Sequence, residues 1–256
     1  MSIANYATAC RKGRCLFPPP DVLIVTCEHG GNRVPAAYRA VLAEAGGALA
    51  GHRGWDIGSL ELARHAARRC RARLFHSTTT RLLVDLNRSA GHRGQFSAWT
   101  RGLDAEVRAE IARRYWEPYR QEVESHIADH VGQGAAVLHV SVHTFTPVLG
   151  THVRRADVGL LYDPRRSWER QIAAHWRRAL IGRHDGLVVR RNYPYHGATD
   201  GFTTALRRRF RPREYAGLEL EVNQRFPLGC PADWRRLRAI VCDALAAVAA
   251  PSRYTE

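Results

Sequence analysis

Short apolar runs alternate with amphipathic stretches along most of the chain. Apolar runs of about four to eight residues are typical of buried strands, whereas apolar positions three and four apart are typical of helices. The predicted strands are residues 21–27, 72–76, 82–86, 136–142, 158–162, 187–190 and 218–222. The predicted helices are residues 34–45, 58–71, 104–130, 167–181, 199–209 and 233–249, and Pro118 is expected to kink or break the third.

This alternation of strands and helices predicts parallel βαβ units, and hence an α/β fold. We expect a three-layer sandwich with a mostly parallel central sheet. Residues 1–20 end in three prolines and are predicted to form an N-terminal extension, followed by a single domain over residues 21–256. A length of 256 residues suits one such domain, and a hydrophobic fraction of 45% excludes wholesale disorder.

Hydropathy and cysteine spacing indicate a protein of a reducing compartment. No apolar run approaches the 18 residues of a membrane span, so no membrane partner is expected. The N-terminus lacks the apolar segment of a signal peptide, which favours the cytoplasm. The six cysteines form no CxxC pair, and we expect free thiols.

The formal net charge of +15 raises the possibility of a nucleic-acid partner. Of the 39 basic residues, however, only Lys12 is a lysine, and the arginines are spread along the whole chain. Because arginine codons are rich in G and C, this bias is better explained by genome composition. We therefore expect no nucleic-acid binding, and a basic nucleic-acid-binding protein remains the least favoured alternative.

Groups of residues rich in polar and ionisable side chains follow or occupy four of the predicted strands. They are residues 28–32 after the first strand, 143–144 after the fourth, 192–197 after the sixth, and Glu219, Glu221 and Asn223 on one face of the last. In parallel sheets, ligands bind outside the carboxyl ends of the strands. We therefore expect all four groups to converge on one edge of the sheet.

Two histidines and acidic groups converging in this way suit a catalytic zinc ion, which keeps one position open for water. His29 and His143 are the expected imidazole ligands, and a neighbouring carboxylate would take the proton of the water. The third ligand is Asp56, where a helix begins, or Glu28, with Asp56 slightly preferred. Gly30, directly after His29, is expected to let a ligand approach the backbone closely.

Two arginines are candidates for binding a substrate carboxylate. Arg88 follows an apolar run, and its guanidinium could hold a carboxylate through two hydrogen bonds or form an ion pair with Asp85. Arg154 is the second candidate, with the same two alternatives.

Seven short stretches carry a resemblance to a known family. They are residues 27–35 (CEHGGNRVP), 55–58 (WDIG), 81–88 (RLLVDLNR), 141–147 (SVHTFTP), 158–164 (VGLLYDP), 192–197 (NYPYHG) and 218–224 (LELEVNQ). In this order they resemble the N-formylglutamate amidohydrolase family, in the branch whose first motif begins with Glu-His. The resemblance implies a fold similar to zinc-dependent exopeptidases and hydrolysis of a small N-acyl amino acid.

The same resemblance implies roles for individual residues. It places zinc on His29, Asp56 and His143. It makes Glu221 the general base. The substrate-binding residues that it implies are Asn87, Arg88, Arg154 and Asn192.

The sequence departs from the family pattern in its first motif. The founding enzymes have His-Ser-Gly where this chain has His29-Gly30-Gly31, and the His-x-x-Glu spacing of carboxypeptidases is absent because Asn32 follows His29 by three residues. These departures leave the acyl group, the amino acid and the third metal ligand open.

The sequence thus predicts a zinc-dependent amidohydrolase that cleaves N-formyl-L-glutamate or a related small N-acyl amino acid. The small-molecule substrate is the expected partner. A metallopeptidase or deacylase acting on larger acylated or peptide substrates is the alternative within the same chemistry.

Overall fold

A computed structural model of the protein describes residues 19–249. The predicted N-terminal extension therefore lies almost wholly outside the described residues, together with Cys10 and Cys15. Among residues 19–249, no helix has the length and apolar character that crossing a membrane requires.

A six-stranded sheet forms the centre of the described chain. The described residues form eight strands, of which six make up this sheet and two a separate hairpin. They are β1 (Val22–Cys27), β2 (Arg73–His76), β3 (Val137–Phe145), β4 (Val148–Leu149), β5 (His152–Val153), β6 (Val158–Leu161), β7 (Val189–Arg191) and β8 (Tyr215–Asn223). The strand order of the sheet is β2-β1-β3-β8-β6-β7, and β4 pairs with β5 in the hairpin. Strands β2, β1, β3 and β8 are parallel to one another. Strand β6 is antiparallel to β8, and β7 is parallel to β6. The predicted mostly parallel α/β sheet is confirmed.

Helices flank the sheet on both faces. They are α1 (Gly46–Ala50), α2 (Ser59–Cys70), α3 (Ala105–Ile111), α4 (Glu117–Gly132), α5 (Ser167–Ile181), α6 (Phe202–Arg209) and α7 (Pro231–Ala249). Helices α2, α5, α6 and α7 confirm four predicted helices to within a few residues, since their apolar stripes follow the helical period.

Side chains alternate between the two faces along β3 and β8. On one face, Leu138, Val140 and Leu218 belong to an apolar cluster with residues of α2, α5 and α7. On the other face, Val137 and Tyr215 pack with residues of α4 and α6. The period of two places the polar residues of both strands on this second face, which is how the fold gathers the candidate site.

The helix predicted for residues 34–45 is wrong. The segment forms two short 3₁₀ turns, Ala36–Tyr38 and Ala43–Ala45, and neither has a side-chain cap at its start. Tyr38, Leu42 and Ala45 are buried in a third apolar cluster, so their helical spacing reflects contact with the loop around Leu83.

The strand predicted for residues 82–86 is also wrong. Leu82, Leu83 and Leu86 are buried, but the backbone turns instead of extending. Its polar groups are satisfied locally, since Leu83 N donates to the carbonyl of Thr80 and the Ser97 hydroxyl donates to the carbonyl of Leu82. An apolar run that is buried on all sides does not distinguish such a loop from a strand.

The long helix predicted for residues 104–130 is interrupted before Pro118. Helix α3 passes into a π-helical segment, Ala112–Trp116, and α4 begins at Glu117. Pro118 therefore lies in the first turn of α4, where the missing N–H of proline has no intrahelical partner to lose.

Candidate metal centre

Three predicted ligand residues lie together at the carboxyl ends of β1 and β3. His29 follows β1, His143 lies within β3, and Asp56 lies in the loop before α2. One side-chain atom from each lies within 4.8 Å of those of the other two. All three residues are buried. The backbone also joins two of them, because Asp56 N donates a hydrogen bond of 2.9 Å to the carbonyl oxygen of His29.

Both imidazole rings direct Nδ1 toward Asp56. Its Oδ2 lies 3.4 Å from Nδ1 of His29 and 2.8 Å from Nδ1 of His143. Nδ1 of His29 is buried and has no hydrogen-bond partner. A buried polar atom without a partner is costly, and two imidazole nitrogens beside a carboxylate oxygen form a donor set that zinc takes in catalytic sites. These residues therefore fit a divalent cation.

Asp56 has no capping role, although carboxylates near the start of a helix often cap it. The N-cap of α2 is Gly58, and no side chain caps that helix. Burial by itself would raise the pKa of Asp56, but the charge of His29, together with the hydrogen bond and charge of His143, outweighs burial and holds the pKa well below its ordinary range.

A second buried carboxylate lies behind His29. Oδ1 of Asp85 is 2.8 Å from Nε2 of His29, and Oδ2 accepts a hydrogen bond of 2.6 Å from Nη2 of Arg81. Burial would raise the pKa of Asp85, but the charges of Arg81 and His29 hold it well below its usual value. Arg81, and not Arg88, is thus the ion-pair partner of Asp85.

Glu28, the alternative third ligand, lies at the opposite edge of His143. Its Oε2 is 3.3 Å from Nε2 of that ring and accepts a hydrogen bond of 2.6 Å from Ser141. Burial would raise the pKa of Glu28, but the hydrogen bond and charge of His143 lower it well below the ordinary range. Because both histidines direct Nδ1 toward Asp56, the geometry favours Asp56 over Glu28 as the third ligand.

His143 therefore lies between two carboxylates. Burial would lower its pKa, but hydrogen bonds and charges from Asp56 and Glu28 raise the pKa well above that of a free histidine. Each ring nitrogen faces a carboxylate, so without a cation the ring is favoured to carry protons on both nitrogens, and a cation ligated at Nδ1 would replace the proton there.

Glu221 lies beside His143 on the neighbouring strand. The register of β3 and β8 pairs these two residues, and the carboxylate is buried. Its Oε2 has no hydrogen-bond partner. Burial, with smaller contributions from Asp56 and Glu219, raises the pKa of Glu221 to about 8. A carboxyl group whose pKa lies near neutrality is suited to accept a proton and release it again.

The two glycines after His29 accommodate backbone rather than a ligand. A Cβ at Gly30 would lie 2.9 Å from the carbonyl oxygen of Ser77, and one at Gly31 would lie 2.8 Å from that of Thr78. The expectation that Gly30 admits a close ligand is therefore wrong, because the segment after β2 occupies that space.

Asn192 does not lie where its strand end was expected. It follows β7, which runs opposite to β1, β3 and β8, so the predicted convergence of all four strand ends is wrong for this strand. Its Oδ1 accepts hydrogen bonds from the backbone N–H groups of Tyr162 and Gly197. The side chain thereby fixes the loop after β7.

That loop, residues 192–197, packs closely onto the sheet. A Cβ at Gly159 in β6 would overlap the carbonyl oxygen of Tyr193, and a Cβ at Gly197 would overlap the backbone nitrogen of Tyr162. The Tyr193 ring lies 6.2 Å from that of Phe145, two residues beyond His143 on β3. The loop therefore extends over the same face of the sheet as the candidate site.

Asn87 and Arg88 contact the segment that leads into α6. Oδ1 of Asn87 accepts a hydrogen bond of 2.6 Å from the backbone N–H of Phe202, and Nη1 of Arg88 donates one of 2.7 Å to the carbonyl of Asp200. These bonds use one amide oxygen and one guanidinium nitrogen. The remaining donors of both side chains have no acceptor within residues 19–249.

Arg154 is a buried arginine without a carboxylate partner in the described part of the chain. Its Nη1 donates a hydrogen bond of 3.3 Å to the Tyr195 hydroxyl. Its guanidinium also stacks at 5.2 Å over Tyr195 and at 5.9 Å over Phe145. A buried cation without a counter-ion is costly, and an anionic ligand would compensate this charge.

Sequence reasoning missed three residues of this neighbourhood. Ser141 precedes His143 by two residues, so the strand period alone could have placed both on one face. Arg81 lies four residues before Asp85, but the segment is a loop in which that spacing carries no information. Tyr195 follows a strand of opposite direction, and no sequence signal indicated that it would reach Arg154.

Comparison with known proteins gives one family and several related folds. The family model of the N-formylglutamate amidohydrolases matches residues 22–227. A solved gene product of Agrobacterium tumefaciens is 24% identical, with a TM-score of 0.74 over 91% of this chain and 90% of its own. N-formylglutamate amidohydrolase from Ralstonia eutropha JMP134 is 18% identical, with a TM-score of 0.67 over 91% of this chain and 93% of its own. No curated protein matches the sequence.

Proposed function

The chain belongs to the N-formylglutamate amidohydrolase family, and from this membership we propose that it hydrolyses the amide bond of N-formyl-L-glutamate or a closely related N-acyl amino acid. We propose zinc as the cation and His29, Asp56 and His143 as its ligands. The observation that supports this proposal most strongly is a pair of buried, unpartnered atoms, Nδ1 of His29 and Oε2 of Glu221. One lies among the ligand atoms, and the other belongs to the residue paired with His143.

The cation would supply polarisation of the scissile carbonyl and a lower pKa for the attacking water. In this proposal, the protein supplies the proton transfers and the orientation of the substrate. Glu221 accepts a proton from the water and donates it to the leaving amine. Its pairing with His143, a proposed ligand, and its buried environment, which favours uptake of a proton, support this role.

The substrate carboxylate is assigned to the arginines. Arg154 is buried without a counter-ion and lies over Phe145, two residues from His143 on the same face of β3. Arg88 offers a second guanidinium with free donors. A substrate with two carboxylates, such as N-formyl-L-glutamate, would engage both. We also propose that Asn87 and Asn192 bind the substrate through their amide N–H groups, since the hydrogen bonds that they make in the structure use only Oδ1.

The test is hydrolysis by zinc-loaded protein of a panel that varies the acyl group and the amino acid. The panel contains N-formyl-L-glutamate, N-formyl-L-glutamine, N-acetyl-L-glutamate and a glutamyl dipeptide, and the released amine is measured. We expect fastest turnover of N-formyl-L-glutamate, because a buried arginine discriminates against an uncharged analogue. Faster cleavage of the dipeptide would favour the peptidase alternative. Failure of zinc-loaded protein to cleave any member would refute the proposal.

A further inference from the structure

Glu28 is a buried carboxylate that the proposed reaction does not use. It is 1% exposed. Within residues 19–249, no arginine nitrogen lies within 4.0 Å of it, and its ion-pair contact is with His143. Burying a carboxylate is costly unless it is paired and hydrogen-bonded. Its position directly before His29 places it beside the metal centre but on the side of His143 that faces away from Asp56.

The hydrogen bonds around Glu28 have a defined direction. Ser141 Oγ donates to Oε2 at 2.6 Å, and the Tyr119 hydroxyl donates to Oε1 at 3.3 Å. Ser141 has a single hydroxyl proton, which the bond to Glu28 uses. The contact of 2.8 Å between Ser141 Oγ and Nε2 of His143 must therefore be donated by the ring.

This direction fixes the atom that His143 can offer to a cation. A ring that carries its proton on Nε2 has its lone pair on Nδ1, which is the atom 2.8 Å from Asp56. His29 has the same arrangement, with Nε2 at 2.8 Å from Asp85 and Nδ1 without a partner. Buried carboxylates thus lie behind both rings, and both rings direct Nδ1 to the same point.

We propose that Glu28 is a positioning residue, which acts through Ser141 to hold the Nε2–H form of His143 and so makes Nδ1 the ligand atom. The inference rests on the proposed metal centre but not on the identity of the substrate. It assigns a role to the glutamate that precedes His29 in the first motif. It also explains why that carboxylate is buried without being a ligand.

The informative variant is Glu28→Gln. A glutamine amide that donates to Ser141 would reverse the hydrogen-bond direction, so that Ser141 donates to Nε2 and the ring proton moves to Nδ1. Because loss of such an outer partner typically weakens metal binding by about 10–100-fold, we expect a loss of that size in zinc affinity. Ser141→Ala interrupts the relay but leaves Glu28 within 3.3 Å of Nε2, and we expect a smaller loss.

Zinc affinity would be measured by competition with a chromogenic chelator, and the ring tautomer by ¹⁵N NMR of zinc-loaded protein labelled at histidine. In the unmodified protein we expect zinc on Nδ1 and a proton on Nε2 of His143. Tyr119→Phe is the matched control, since it removes a hydrogen bond to Oε1 and leaves the Ser141 relay intact. It should bind zinc as tightly as the unmodified protein.

Unchanged zinc affinity and an unchanged Nε2–H signal in Glu28→Gln would overturn the inference while leaving the proposed hydrolysis standing. If Glu28→Gln does not fold, Ser141→Ala with unchanged affinity and unchanged NMR signals has the same meaning. A protein that binds zinc as expected but cleaves no N-acyl amino acid would overturn the proposed substrate and leave the role of Glu28 intact. Failure of the unmodified protein to bind zinc would overturn both.

Discussion

At the scale of single residues, the candidate site is a group of buried carboxylates that differ in how many hydrogen bonds they accept. Asp56, Asp85 and Glu28 each accept hydrogen bonds from named donors, whereas one oxygen of Glu221 accepts none. The resemblance to a family implies that Glu221 is the general base, which stays a prediction, and the register of β3 and β8 pairs this residue with His143. The orientation of each ring could not be predicted, because it depends on Asp85 for His29 and on Glu28 for His143, and each of these carboxylates lies on another segment of the chain.

Replacing Glu221 by glutamine removes the proton acceptor with little change of volume. We expect kcat for an N-acyl amino acid to fall by about 10²–10⁴-fold, the usual range for loss of a general base. Steady-state kinetics would measure this fall. Glu219→Gln is the matched control, since Glu219 lies on the same face of β8 and accepts a hydrogen bond from Thr203, which glutamine can also accept. Equal losses in the two variants would contradict the role of Glu221.

The Arg154→Lys substitution keeps the charge and removes the planar pair of donors. We expect KM for a carboxylate substrate to rise by about tenfold or more with a smaller change in kcat, because a lysine cannot replace two parallel hydrogen bonds. The same substitution at the exposed Arg191 should leave KM unchanged. A KM that does not rise in Arg154→Lys would assign the carboxylate to Arg88 alone.

At the scale of elements, a hydrogen-bonded chain of side chains links three strands on the face that carries the site. Nε2 of His139 in β3 is 2.8 Å from the Thr26 hydroxyl in β1, and Nδ1 is 2.7 Å from the Tyr215 hydroxyl in β8. Burial lowers the pKa of His139 to about 4, so the ring is neutral in the folded protein at neutral pH. The histidine thereby joins the strands as an uncharged connector.

This connector predicts a loss of stability in mild acid. Between pH 6.5 and 4 the unfolded chain binds a proton on His139 that the folded chain does not, so the free energy of unfolding falls as the pH falls. The contribution of this residue between pH 7 and pH 5 is about 2 kcal/mol. Urea denaturation of the unmodified protein and His139→Gln at both pH values should reveal a shallower pH dependence in the variant. The exposed His52→Gln should follow the unmodified protein, and identical slopes in all three would contradict the prediction.

The sequence pattern predicts an element correctly where its apolar spacing arises only from one face of a helix or strand packing on the core. The helix over Ser167–Ile181 has an apolar stripe that faces the sheet, and its bounds agree with the prediction. The buried loop around Leu83 resembles a strand because it is apolar at successive positions, although its hydrogen bonds are local. The reversal of β6 relative to β8 could not be predicted, because strand direction follows from long-range pairing and not from local pattern.

At the scale of the whole molecule, the proposed cation connects segments that are far apart in sequence. His29, Asp56 and His143 come from a turn, a loop and a strand, and a ligand shared by them resists unfolding of all three. A cation that binds only the folded chain adds about 4 kcal/mol to the free energy of unfolding when its concentration is a thousandfold above Kd.

We therefore expect zinc to raise the Tm of the chelator-treated protein by several degrees, with a midpoint that depends on zinc concentration. Differential scanning calorimetry with and without zinc would measure the shift. The His143→Ala variant, which lacks one ligand, should show little or none. The Glu169→Gln variant alters a buried carboxylate that pairs with Arg207 elsewhere in the fold, and it should retain the shift. A zinc-independent Tm in the unmodified protein would contradict the centre.

The excess of arginine also has a structural use at this scale. The buried Arg207 donates to the carbonyl of Gly217, and the half-buried Arg166 donates to that of Tyr215, so these guanidinium groups bind backbone carbonyls. Arg120 does the same for Leu86. A count of charges could not distinguish such internal donors from a basic surface, since the distinction depends on burial.

The tight packing of two glycines limits how the 192–197 loop, which extends over the face of the candidate site, can change. Neither Gly159 nor Gly197 has space for even a methyl group, because each faces backbone atoms that belong to a neighbouring segment. The base of the 192–197 loop is therefore fixed in height above the sheet. Because the backbone of the loop cannot move away, space for a bulkier acyl chain would have to come from shorter side chains in the loop. Tyr195, which contacts Arg154, would be the first to be shortened.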